Sequence, residues 1–94
     1  MMDRSKILDT AKSYINEDRA VQHGDAERNF GLIAAYWSAH LDAIVTPSDV
    51  AVMMTLLKLA RINSNPYNAD NWIDGCGYLA CGGEIATEFL PEQA

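Results

Sequence analysis

The sequence predicts an all-α protein, an antiparallel bundle of four helices that associates with further copies of itself. Three observations point there. Apolar residues recur at helical period in four separate segments, and no stretch alternates as a strand does. Turn formers part those segments. Ninety-four residues suffice for one domain, spanning 1–94, with a small core of its own.

The first helix covers about residues 3–18, with Ile7, Leu8, Ala11, Tyr14 and Ile15 on one face. It stops before His23-Gly24-Asp25, a turn-like run. The second covers about 25–41, with Asp25 as N-cap. Phe30, Ile33, Ala34, Trp37 and Leu41 form one apolar arc, and Leu32, Ala35, Tyr36 and Ala39 form another on nearly the opposite side. Two apolar sides need two neighbours, and in so short a chain one of them is a further subunit.

The third helix, about 47–62, has the clearest start. Thr46-Pro47-Ser48-Asp49 puts Thr at the N-cap, Pro at the first helical position and an acid at the third. From Val50 to Ile62 it is apolar almost all round, interrupted by Lys58 and Arg61, and reads as the central, most buried helix. Asn63-Ser64-Asn65-Pro66-Tyr67-Asn68 is a loop. The fourth helix runs over about 70–89, with Trp72, Ile73, Cys76, Leu79, Ala80, Gly83 and Ala86 on one face and Asp70, Asp74, Cys81, Glu84 and Glu88 on the other. Its Gly75, Gly77, Gly82 and Gly83 each cost about 1 kcal/mol against Ala. They imply a close approach of another backbone or a ligand, or a break near Gly82-Gly83.

Seven Lys+Arg against thirteen Asp+Glu leave a net charge of −6. That disfavours nucleic acid and anionic membrane as partners, both of which need a basic footprint. The longest apolar run is far short of a membrane span, and the N-terminus carries no apolar signal core, so the expected place is the cytoplasm. Cys76 and Cys81, five residues apart on a helix, would point about 140° from each other and not bridge. His23 and His40 lack zinc-ligand spacing.

Three groupings carry possible chemistry. Lys58 and Arg61 are two cations on an otherwise apolar helix, costly unless paired. Asp70 and Asp74 lie one turn apart on the next helix, close enough across a short loop to meet them. The four form an ionic clasp between helices, or the cations hold a phosphate while the carboxylates hold Mg²⁺, or the groups are simply exposed to solvent. His23 and Asn29, beside Phe30, suit recognition of a nucleobase, and equally a turn and a core. Trp37, Met53 and Met54 are core positions.

His23-Gly24, Asn29-Phe30, Trp37-Ser38, Leu41 and Thr46-Pro47-Ser48-Asp49-Val50-Ala51 resemble a family of small phage and bacterial proteins known as a domain of unknown function. The likeness continues through Met53-Met54, Leu56-Leu57-Lys58-Leu59-Ala60-Arg61, Asp70, Asp74 and Gly77-Tyr78. It implies a phage or prophage setting. More loosely, the chain is similar to the all-helical nucleoside triphosphate pyrophosphohydrolases of the MazG and dimeric dUTPase type. Those hold Mg²⁺ on paired carboxylate motifs, of which this chain keeps Glu27 and the Asp of Asn71-Trp72-Ile73-Asp74.

The expectation is therefore a helical protein that binds a phosphorylated nucleotide. Lys58 and Arg61 would contact phosphate, His23 and Asn29 the base or sugar, and Asp70 and Asp74 a Mg²⁺ ion. It would hydrolyse a nucleoside triphosphate, or sequester a nucleotide as phage proteins that soak up immune signals do. The alternative is a structural or interaction protein with no small ligand, the Lys/Arg/Asp cluster serving as the clasp.

Overall fold

A computed structural model of the chain describes residues 2–18 and 26–88, and these form helices and turns with no strand among them. Helix α1, Arg4–Ser13, starts at Asp3, whose carboxylate accepts the Lys6 amide at 2.8 Å. It continues into a π-helical turn, Tyr14–Asp18. Helix α2, Ala26–Leu41, follows; the expected cap Asp25 lies outside the described residues. The chain leaves α2 through Asp42 at φ 51°, a left-handed conformation that Asp tolerates better than most residues. Ser38 secures the return. Its hydroxyl donates to the Val45 carbonyl at 3.1 Å and accepts the Val45 amide at 2.8 Å.

Helix α3, Pro47–Ser64, opens with the predicted cap in full. Thr46 Oγ1 accepts the Asp49 amide at 3.1 Å, and Asp49 Oδ2 accepts the Thr46 amide at 2.9 Å. The Thr46 backbone bond, reinforced by the Thr46 side chain, holds the Asp49 carboxyl below its ordinary range. Helix α4, Ala69–Thr87, is capped by Asn68, whose side-chain oxygen accepts the Asp70 amide at 3.1 Å. Trp72 Nε1 donates to the Pro66 carbonyl at 3.0 Å and ties the α3–α4 turn to α4.

The α4 helix does not break at Gly82-Gly83. Gly82 is buried, and a Cβ placed on it would lie 2.6 Å from the Ala51 Cβ of α3. Close approach to another backbone is thus the reason for that glycine, and the partner is α3. Gly75 and Gly83 face open space. The core is small: Phe30, Ala34, Val50 and Ala51, with Ile33, Trp37, Met54, Tyr78, Cys81 and Ile85 packed against it.

Two facial assignments are corrected. Helix α3 is not buried all round: Val52, Met53, Leu56, Leu57 and Leu59 are exposed, and its buried residues are Val50, Ala51, Thr55 and Lys58. On α4, Trp72 and Leu79 are exposed, whereas Asn71, Ile73, Gly77 and Gly82 are buried. Both helices turn their small and polar residues toward each other. The cause is the short Ala51–Gly82 distance, which admits no large side chain between the backbones, together with the need of Lys58 for a partner.

Candidate functional site

Lys58 sits on the inner face of α3 with its side chain 11% exposed, and its Nζ lies 2.9 Å from Asp74 Oδ2 on α4, itself 15% exposed. A charge that deeply placed is held only by an opposite charge close by. Thr55, one turn earlier, has no such need: its hydroxyl donates to the Ala51 carbonyl at 2.8 Å within the helix. Among the described residues no buried side-chain nitrogen or oxygen lacks a hydrogen-bond partner.

Asp74 also lines a hollow of about 110 Å³. Its walls are Ala11 of α1, Tyr14 and Ile15 of the π turn, Asn29 and Phe30 of α2, and Ile73, Gly77, Tyr78 and Cys81 of α4. The Phe30 and Tyr78 rings stand 6.3 Å apart at 45°, a tilted pair. Gly77 lets the π turn approach α4 closely, since a Cβ there would lie 3.1 Å from Ile15 Cγ2. The π turn puts Tyr14 and Ile15 into this wall; such turns recur where a helix is bent to serve a site. The lining is apolar with polar groups from two helices, the usual make-up of a small-molecule pocket.

Of the candidate residues, the structure brings Asn29 and Asp74 to one hollow and sets Lys58 directly behind Asp74. Arg61 is exposed and lines a different, shallow recess with Leu57, Ala60, Ser64, Asn65, Asn68 and Asn71. Asp70 is exposed in the first turn of α4. His23 lies outside the described residues. Among those described, no group of three or more His, Cys, Asp or Glu is placed to hold a metal ion. Tyr14, Ile15 and Cys81 were not singled out by the sequence. Period alone shows a face and not a wall shared by three helices. Gly77-Tyr78 was the one signal at hand, through the resemblance.

The fold and this hollow define an all-helical protein with a small aromatic-walled pocket, and no helix among the described residues is long and apolar enough to cross a membrane. The chain belongs to the family described as a domain of unknown function, DUF6378, which matches residues 6–86. It is similar to the Gene 55 protein of Mycobacterium phage L5, at 45% identity over 88 residues, 93% of this chain and 54% of that one. It is also similar to the Gene 55 protein of Mycobacterium phage D29, at 34% over 82 residues, 87% of this chain and 54% of that one. The chain thus spans about half the length of these relatives. No solved structure matches it.

Proposed function

We propose that the protein binds a nucleotide, with the base or sugar in the hollow of Asn29, Phe30, Asp74 and Tyr78, in the cytoplasm of a phage-infected bacterium. The observation that carries this is the convergence of Asn29 and Asp74 on one aromatic-walled space. Rings stack on bases, and a carboxylate beside an amide accepts and donates to a base edge. Lys58 holds Asp74 in place. Arg61, exposed in the separate recess, is the cation for a phosphate. One version of the reading sequesters the nucleotide; the other hydrolyses it with Mg²⁺ in the manner of the MazG type. The helices are taken as an antiparallel bundle. Lys58 meeting Asp74 and Ala51 meeting Gly82 support that arrangement, because positions rise along α3 as they fall along α4.

Thermal melting against a panel of nucleosides and nucleotides, with and without Mg²⁺, tests the reading. A ligand-dependent rise in Tm is expected. Asn29→Ala should abolish it while the helix content stays. No rise with any member of the panel would refute the proposal, and pyrophosphate release would turn the binder into an enzyme. A second reading is favoured by the Lys58–Asp74 pair itself: a clasp fixing the register of α3 on α4 in a protein that only contacts other proteins.

A further inference from the structure

We infer that the recess between the end of α3 and the start of α4 binds a phosphate group by itself, as the free ion or as a monoester. It shares Arg61 with the nucleotide reading and needs nothing in the hollow.

Asn71 is the residue that points to a ligand. It is only 7% exposed, early in α4. Yet its side-chain amide has no hydrogen-bond partner among the described residues. A buried amide is costly to leave unanswered, and an apolar side chain would fill the same place at less cost. Nor is the amide sealed in. Among the described residues no side-chain nitrogen or oxygen shut off from solvent goes unpaired, so the small exposed part of Asn71 includes its amide. Asn71 lines the recess, and the amide opens there.

The rest of the wall supplies donors. Asn65 Oδ1 accepts the Tyr67 amide at 3.1 Å, and Asn68 Oδ1 accepts the Asp70 amide at 3.1 Å. With both oxygens engaged by the backbone, the side-chain nitrogens of Asn65 and Asn68 are spare donors. Arg61, exposed in the last turn of α3, adds its guanidinium. No carboxylate lines the recess; Asp70, exposed beside Asn71 in sequence, is not part of its wall. Two carbonyls near the end of α3 are covered, that of Ala60 by the Ser64 hydroxyl at 3.4 Å and that of Arg61 by the Asn65 amide at 2.9 Å. The recess also lies at the start of α4, the positive end of that helix.

This wall selects the class of ligand. A neutral sugar needs acceptors as well as donors, and the recess offers few beyond Asn71 Oδ1 and the Ser64 hydroxyl. A planar carboxylate brings two oxygens. A phosphate brings more, enough for donors from separate residues with an Arg fork among them. The recess, about 530 Å³, has room for a phosphate and for the group it esterifies. The net charge of −6 works against anions over the molecule at large, and so confines binding to a place without carboxylates in its wall.

The test is titration of the isotope-labelled chain with sodium phosphate and with ribose 5-phosphate, at an ionic strength held constant with sodium chloride. The side-chain amide signals of the asparagines and the Tm are followed. A saturable shift of the Asn71 amide with a rise in Tm is expected. A preference of tenfold or more for ribose 5-phosphate identifies an ester as the ligand, and equal affinity identifies the free ion. Arg61→Gln and Asn71→Leu should each raise the dissociation constant at least tenfold with helix content retained. Should Asn71→Leu lose helix content, Asn68→Ser serves, because it keeps the capping oxygen and removes only the amide nitrogen. Nucleosides carry no phosphate and report on the hollow alone, so the two readings fail separately. No saturable change with either probe overturns the inference, the recess then holding water only. Binding that these substitutions leave intact overturns it equally.

Discussion

Gly82 shows how one missing methyl sets a helix pair. Its burial against Ala51 leaves no room for a Cβ, which would stand 2.6 Å from the Ala51 Cβ. Gly82→Ala should push α3 from α4 and cost about 1–3 kcal/mol. Gly83→Ala, one residue on and facing open space, should stabilise by about 1 kcal/mol, since Ala is the better helix former. Denaturant unfolding of the two variants checks the opposite signs. Asp49 acts through its charge. Its folded pKa lies below 3.8, lowered by the Thr46 bonds. A depressed carboxyl stabilises the fold above the unfolded pKa, and that contribution is lost as pH falls through the folded value. The Tm gap between the wild type and Asp49→Asn should therefore be full at neutral pH and narrow below pH 3.8. The Thr46-Pro47-Ser48-Asp49 cap was legible in the sequence because capping is local: every partner lies within three residues. The role of Ser38 was not legible, because its partner Val45 is seven residues away across a turn.

At the scale of elements, the joint between α3 and α4 decides which faces are left over. Their shared surface is the most extensive between any two of the described helices, with small and polar residues in it and Lys58–Asp74 at 2.9 Å across it. Removing Lys58 alone takes the ammonium at 2.9 Å away from a largely enclosed carboxylate. Lys58→Met should cost about 3 kcal/mol, and Lys58→Met with Asp74→Leu should return to within about 1 kcal/mol of the wild type. Chemical denaturation of the single and double variants measures this. A double variant that is stable but blind to nucleotides assigns Asp74 to a binding site; one that changes nothing but stability assigns it to the clasp. The helix spans expected from period and caps agree with the observed ones to within a few residues. The faces did not follow as well. Hydropathy ranks Trp72 and Leu79 above Asp74 for burial, but α4 turns toward α3 the side that satisfies Lys58 and admits the Ala51 backbone.

For the whole molecule, these faces leave an exposed belt of large apolar side chains: Leu32, Tyr36 and Leu41 on α2, Val52, Leu56 and Leu59 on α3, Trp72 and Leu79 on α4. The second apolar side expected of α2 is exposed at Leu32 and Tyr36, opposite the buried Phe30 and Ala34. The self-association that the sequence predicts would cover part of this surface, and it is checked by dilution: Tm should fall with protein concentration.

The sequence by itself determined that this protein is helical, where its capped third helix begins, that it is acidic, and that Lys58 needs a carboxylate. Those properties follow from residue type, from contacts within a turn of helix, or from the cost of a buried charge. Only the tertiary structure decided which carboxylate answers Lys58, that Asn29 and Asp74 share a hollow while Arg61 lies apart, and that the leucines of α3 face outward. Those depend on how close two backbones come, and that distance is set by a pair of residues, Ala51 and Gly82, thirty-one positions apart in the chain.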